Sequence, residues 1–349
     1  SYTDPGRLLA GALGAATATT LLAEFGVSQQ HLLDRACQRI VDGEIEVALV
    51  TGGEARYRAL RAGKAGLEAS EVDQDGAEPD LKLLPGEELW TSVESDAGLG
   101  MPVGYYAIMD SALRYASGQT LDAHRDEMAA MYARFSEIAA DNPAAWSDEP
   151  VSAAHIREPS ATNRMLAFPY TKLHNSQWNV DQAAGLILCS AAVAEELGIA
   201  REKWVFPLAS TESNFISVVA ARRDLGACPG FRLAGKAAQE LSGINFNDVR
   251  FCELYSCFPF AVRVQLQEFG MNAARDLSVT GGMAFGGGPL NNFVFQSTAR
   301  MAQLLRENPS EVGLVSTVSG MLTKQGCALW STEAGANGWA FADVTEQVR

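Results

Sequence analysis

Cys257 is the cysteine placed where a thiol could meet a ligand, in the junction Glu253-Leu254-Tyr255-Ser256-Cys257-Phe258-Pro259 between a strand pattern and a helix pattern. To attack a carbonyl, a thiol must first lose its proton to a neighbouring base. None of the four histidines, His31, His124, His155 and His174, falls in a motif near it, so Cys257 reads either as a nucleophile or as a small buried group. Tyr255 is the second reactive group of this junction. A phenol with an ordinary pKa of about 10 is a proton donor at neutral pH. Strand alternation puts Tyr255 on the face of Phe251 and Glu253, where it either donates a proton or fills space as an aromatic. His31, just inside a helix start, is a further candidate acid or base.

Two other junctions have the same form: Phe25-Gly26-Val27-Ser28-Gln29 and Gly286-Gly287-Gly288-Pro289-Leu290-Asn291-Asn292. Each puts backbone N–H groups at a helix start, able to hold an anion or a developing oxyanion. Ser28, Asn291 and Ser319 add polar groups that either line the same pocket or cap helices. The glycine loop at 281–289 lacks both a Gly-Lys-Ser/Thr ending and a G-x-G-x-x-G spacing, so it reads as close backbone packing rather than a phosphate cradle. Cys37, Cys189, Cys228, Cys252 and Cys327 read as packed or loop thiols. With no Cys-x-x-Cys pair and no His-Glu-x-x-His spacing, no metal site is expected.

These junctions need elements to hold them. Leu32, Leu33, Ala36, Cys37, Ile40 and Val41 recur at helical spacing, which predicts a helix over 29–41 ending at Asp42-Gly43. The apolar run at 47–51 then predicts a strand buried on both faces of a parallel sheet. The acidic stretch 68–88 reads as loop, 121–140 as an amphipathic helix, and 142–169 as an excursion over the mouth of the sheet. Regularity returns with a buried strand at 183–190, a helix at 191–197 and a strand at 204–209. Helices at 233–241, 259–270 and 292–306 and strands at 249–254, 313–318 and 326–331 follow. The class is α/β: two halves flanking an insertion, divided 1–55, 56–170, 171–215 and 216–349.

Composition narrows the function. Lys and Arg number 27 against 42 Asp and Glu, a net charge of −15, which opposes binding to nucleic acid or an anionic membrane surface. No apolar run is long enough to span a membrane, and Ser1-Tyr2-Thr3-Asp4-Pro5 lacks a basic and then apolar leader, so a cytoplasmic location is expected.

The chain resembles the thiolase superfamily, in particular the sterol-carrier-protein-type thiolases and actinobacterial acetyl-CoA acetyltransferase-like proteins. Four ordered motifs carry the resemblance: Asp181-Gln182-Ala183-Ala184, Leu254-Tyr255-Ser256-Cys257-Phe258, Thr280-Gly281-Gly282 through Gly287-Gly288-Pro289, and residues 313–320 with Leu322-Thr323-Lys324. It implies a thiolase fold, two similar α/β halves layered αβαβα with an inserted loop domain (56–170). It also implies an N-terminal half that lacks its first strand-helix unit, so residues before Ser1 and after Arg349 are expected in a longer protein. Thiolases work through an acyl-cysteine, an activating histidine and a second cysteine. By the resemblance, Gly26 stands at the nucleophile position, Ser28 matches a family serine, Gly288 takes the place of the histidine, and Thr317 or Val318 that of the second cysteine. Tyr255 replaces the histidine of the His-Asp-Cys-Phe motif, while Cys257 and Phe258 keep their places.

The function so implied is acyl-CoA thioester binding without acyl-cysteine chemistry. Coenzyme A or acyl-CoA is then a ligand rather than a permanently bound cofactor. Asn175, Ser176 and Gln177 fall on the family's pantetheine stretch, Gly287 and Asn291 on the glycine loop, and Arg58 in the basic cluster Arg56, Arg58, Arg61, Lys64 that could meet CoA phosphates. Two alternatives stand beside this reading. One is retro-aldol cleavage of a β-hydroxyacyl-CoA using Tyr255, with an OB-fold partner subunit. The other is a non-enzymatic carrier or scaffold for a CoA ester. A homodimer is compatible with each.

Overall fold

Proline is harmless in the first turn of a helix, where its missing N–H has no partner to lose. Pro5 opens Pro5–Ala12 (α1), capped by the Asp4 carboxylate, which accepts from the Arg7 N–H at 2.9 Å. The computed structural model describes every residue except Ser1, Asp75, Asn291 and Asn337. Leu21–Ala23 (β1) leads through Gly26 into Gln29–Val41 (α2), followed by Val47–Ala55 (β2) and Arg56–Lys64 (α3). The span of α2 is the one its periodicity predicts, and it buries Leu33, Ala36 and Cys37. Leu81–Leu83 (β3) pairs in parallel with β1, so the acidic stretch at 68–88 is not loop throughout.

Ser92–Asp96 (α4), Pro102–Ala116 (α5), Leu121–Ala140 (α6), Ala153–Arg157 (α7), Met165–Ala167 (β4) and Tyr170–Thr171 (β5) make the excursion, which is mainly helical. In α6, Met128, Tyr132, Phe135 and Ala139 are buried at steps of four, three and four residues, one face of a helix. A buried polar knot fixes this layer to the rest: Asp110 accepts from Arg263 at 2.8 Å and from the Tyr170 hydroxyl at 2.9 Å, with His124 at 3.1 Å. A carboxylate out of water is tolerated only when paired in this way.

Asp181–Cys189 (β6), Ala191–Glu196 (α8), Phe206–Ser213 (β7), Pro229–Ser242 (α9) and Phe251–Glu253 (β8) come next. Pro259–Phe269 (α10), Phe293–Glu307 (α11), Val312–Ser319 (β9), Lys324–Ser331 (β10), Ala340–Asp343 (β11) and Thr345–Val348 (α12) complete the order. A five-stranded mixed sheet runs β11-β7-β10-β9-β8, with β10 antiparallel to both neighbours and the two outer pairs parallel. β10 is buried along its whole length. The layers follow from the contacts: α9 packs on one face of this sheet, while α2 and α11 lie between it and the pair β2–β6. Close packing outside the sheet sets a glycine: a Cβ on Gly235 of α9 would lie 2.5 Å from the Phe269 ring.

Two expectations are corrected. β2 and β6 are antiparallel partners rather than members of a parallel sheet, and only one face of each is covered. The other face leaves Val47 at 47%, Leu49 at 43% and Ile187 at 72% exposure. β7 lies in the five-stranded sheet, paired with β10 and β11, so residues 206–213 do not sit beside β6 as the 171–215 division supposes.

Candidate functional site

The middle helices α2 and α11 begin near the ends of β8 and β9, and the excursion covers this region. Between them lies a cavity of about 2020 Å³, whose lining includes Gly26, Tyr106, Ser176, Tyr255, Cys257 and Ser319. Gly26 has φ +100°, and a Cβ there would fall 2.8 Å from the Pro85 Cβ, so the chain passes the cavity with no room for a side chain. Ser28 and Thr317 do not line the cavity. Their hydroxyls meet at 3.3 Å and tie the start of α2 to β9.

Tyr255 follows β8 directly. Its N–H donates to the Ser316 hydroxyl at 2.8 Å, its carbonyl accepts from Gln265 at 2.9 Å, and its ring stands edge-on to Phe293 at 5.4 Å. Burial lifts the phenol well above its ordinary range, so it stays protonated and can act as a donor. Cys257 also faces the cavity, but burial pushes its thiol up to about 12. At neutral pH it is a thiol, and no histidine is among the lining residues. The loop after it is held by Glu253, whose buried carboxylate accepts from the Val279 and Thr280 N–H groups at 2.8 Å and from the Ser278 hydroxyl at 3.0 Å. Within the loop, residues 282–286 form one π-helical turn, where the sequence predicts only a glycine loop. The Met283 N–H donates to the Ser256 hydroxyl at 2.9 Å.

The stretch Asn175-Ser176-Gln177 reaches the cavity through backbone bonds to both junctions. Ser176 N–H donates to the Cys257 carbonyl at 3.1 Å, Gln177 N–H to the Met283 carbonyl at 2.9 Å, and Gly288 N–H to the Gln177 carbonyl at 2.9 Å. The Asn175 side chain is spent on the Thr171 carbonyl at 2.6 Å. Gly287 and Gly288 are buried and do not line the cavity. Their side-chain space is taken: a Cβ on Gly287 would fall 2.0 Å from the Gln182 amide oxygen, and one on Gly288 1.9 Å from the Ser176 hydroxyl.

Other candidates lie elsewhere. Arg58 bonds the carbonyl and hydroxyl of Ser70, each at 2.9 Å, away from the cavity lining. Arg56 stacks on Trp178, which does line it, at 4.5 Å. His31 faces the buried Glu212 at 2.7 Å rather than the cavity, and that hydrogen bond raises its pKa. Asn291 is outside the described residues. Among the described residues no group of three or more His, Cys, Asp or Glu side chains could hold a metal ion.

Tyr106 was not singled out by its position in the sequence. It is buried in α5, stacks on Phe258 at 4.3 Å, donates to the Gly320 carbonyl at 3.4 Å, and lines the cavity together with Cys257 and Tyr255. The adjacent pair Tyr105-Tyr106 in an apolar helix was the available signal, but nothing local says which element the second ring meets.

No protein-family model and no curated protein matches the chain. Solved structures do. A monomeric SCP2-thiolase-like protein type 1 from Mycobacterium smegmatis superposes with a TM-score of 0.74 at 28% identity, over 89% of this chain and 62% of that one. The Ltp2-ChsH2(DUF35) aldolase gives a TM-score of 0.64 at 15% identity, over 93% of this chain and 91% of that one. The Acat5 thiolase from Ascaris suum, solved in complex with coenzyme A, gives 0.56 at 18% identity, over 88% and 77%. The chain thus spans 62% of the length of the M. smegmatis protein. The chain therefore has the thiolase fold, and at 28% identity it is similar to an SCP2-thiolase-like protein.

Proposed function

We propose that the cavity binds acyl-CoA thioesters and that no acyl-cysteine forms in it. The observation that carries this is Gly26: the helix start that faces the cavity has a backbone at φ +100° and Pro85 where a side chain would be. Cys257, its thiol held protonated, does not supply the missing nucleophile. The lining mixes apolar groups for an acyl chain with a few polar ones near Tyr255, and Arg164 and Lys172 are among its cations. Such cations are what the phosphates of CoA require on a chain of net charge −15. The test is thiolysis of acetoacetyl-CoA alongside binding of the same ligand. Saturable binding without thiolysis is expected; CoA-dependent thiolysis, or no binding, would overturn the proposal.

A second reading is favoured by the two phenols, Tyr106 and Tyr255, that line the cavity together with Cys257, and by the likeness to an aldolase. In retro-aldol cleavage of a β-hydroxyacyl-CoA, a base takes the β-hydroxyl proton. The Cα–Cβ bond breaks to leave a carbonyl compound and a thioester enolate, and Tyr255 protonates the enolate carbon. A small partner subunit of the DUF35 kind named with that aldolase belongs to this reading. Tyr255→Phe should abolish cleavage and leave CoA binding intact; turnover that survives the change excludes the tyrosine.

A further inference from the structure

We propose that residues 84–90 are a detachable strap that gives way when the cavity takes its ligand. The inference rests on the acyl-CoA reading and adds the control of entry to it. Both ends of the strap are anchored: the Leu83 carbonyl, at the end of β3, accepts from the Glu24 N–H at 2.9 Å, and Thr91 caps α4 in a reciprocal box with Glu94. Between these ends, one hydrogen bond holds the backbone among the described residues. The ammonium of Lys324, at the start of β10, donates to the Pro85 carbonyl at 2.8 Å. Lys324 is buried, and the carboxylates of Glu212 and of the strap's own Glu87 are near enough to act on its charge.

The rest of the hold is apolar. Leu89 is buried, while Leu84 and Trp90 are 63% and 45% exposed. One Leu89 methyl lies 3.4 Å from an ideal Cβ on Gly26, and the other lies 3.0 Å from one on Gly320, in the turn that joins β9 to β10. Leu89 lines the cavity beside both glycines, so a ligand seated against the start of α2 competes with it for the same slot. A segment with one tether and one buried side chain opens locally, at far less cost than the helices around it. Gly86, at φ +91° with open space about it, gives the strap a point of rotation. The tether also gives a role to Lys324 of the Leu322-Thr323-Lys324 motif: a charged donor holds a carbonyl more firmly than a neutral one, and its loss leaves that carbonyl unpaired.

The experiment joins two readouts. Cleavage by a glutamate-specific protease at Glu87 and Glu88 is read by mass spectrometry against the exposed Glu68 in the same sample, and it tracks the open population of the strap. Binding of acetoacetyl-CoA is followed by tryptophan fluorescence, since Trp90, Trp146 and Trp178 line the cavity. Lys324→Met and Leu89→Ala should each raise the cleavage ratio by about tenfold, the effect of one charge-assisted hydrogen bond or one buried side chain. Each should also tighten binding, because the ligand no longer competes with the strap; a merely structural role would weaken it. Saturating ligand should raise the ratio in the unaltered chain as well. A ratio that stays the same in both variants overturns the strap. A higher ratio with binding unchanged or weaker overturns its control of entry, while the acyl-CoA reading stands. Absence of binding in the unaltered chain and in both variants overturns that reading and the control of entry with it, whereas binding in the variants alone supports the proposal.

Discussion

A thiol at about 12 and a phenol driven above its usual range make Cys257 and Tyr255 neutral donors where they face the cavity. The consequence for Cys257 is inertness. With iodoacetamide at pH 8, the partly exposed Cys189 should be alkylated well before the buried Cys257, and peptide mass spectrometry reads the order. Rapid labelling of Cys257 would mean that a base reaches it. Replacing Gly26 by cysteine should not restore a nucleophile. The positive φ and the Pro85 contact should lower stability by about 1–3 kcal/mol, measured by urea unfolding. At this scale the sequence already points to Gly26, Tyr255 and Cys257, because each sits in a motif. Tyr106, and the displacement of a side chain at 288 by Ser176, arise from contacts between segments far apart in the chain, which no local spacing encodes.

The elements that carry these residues are held by buried carboxylates, and this gives the fold a pH dependence. Burial raises Glu253 to about 7, partly offset by the backbone N–H groups it accepts, and raises Asp34 of α2 to about 7 as well. A folded-state value above the unfolded one means stability that is full below the unfolded carboxylate range and is lost as pH climbs through about 7. Chemical denaturation should therefore show falling stability between pH 5 and 8. Glu253→Gln, which keeps an acceptor for the loop, should flatten that fall by on the order of 3 kcal/mol; an unchanged slope would remove Glu253 as its source. The bounds of α2 and α6 are legible to the residue, since both patterns have clear ends, although in α6 the buried face runs through Tyr132 and Ala139 rather than Met131 and Ile138. β2 is not, because an apolar run looks the same whether one face or both are covered, and only its pairing with β6 reveals the difference. The missed pairing of β7 has the same cause: strand neighbours are a property of topology rather than of the strand's own residues.

For the molecule as a whole, layering explains where the site is. Two helices enclosed between a five-stranded sheet and a two-stranded one begin beside the same cavity, to whose lining α5 contributes Tyr105 and Tyr106. The central claim is that this arrangement holds an acyl thioester without bonding to it. Mass spectrometry of the chain mixed with acetoacetyl-CoA tests it directly, the same sample being sprayed first under native and then under denaturing conditions. The expected result is a native complex heavier by one whole ligand and a denatured chain at its unmodified mass. A denatured chain carrying an acyl group, or no complex in the native spectrum, would contradict it.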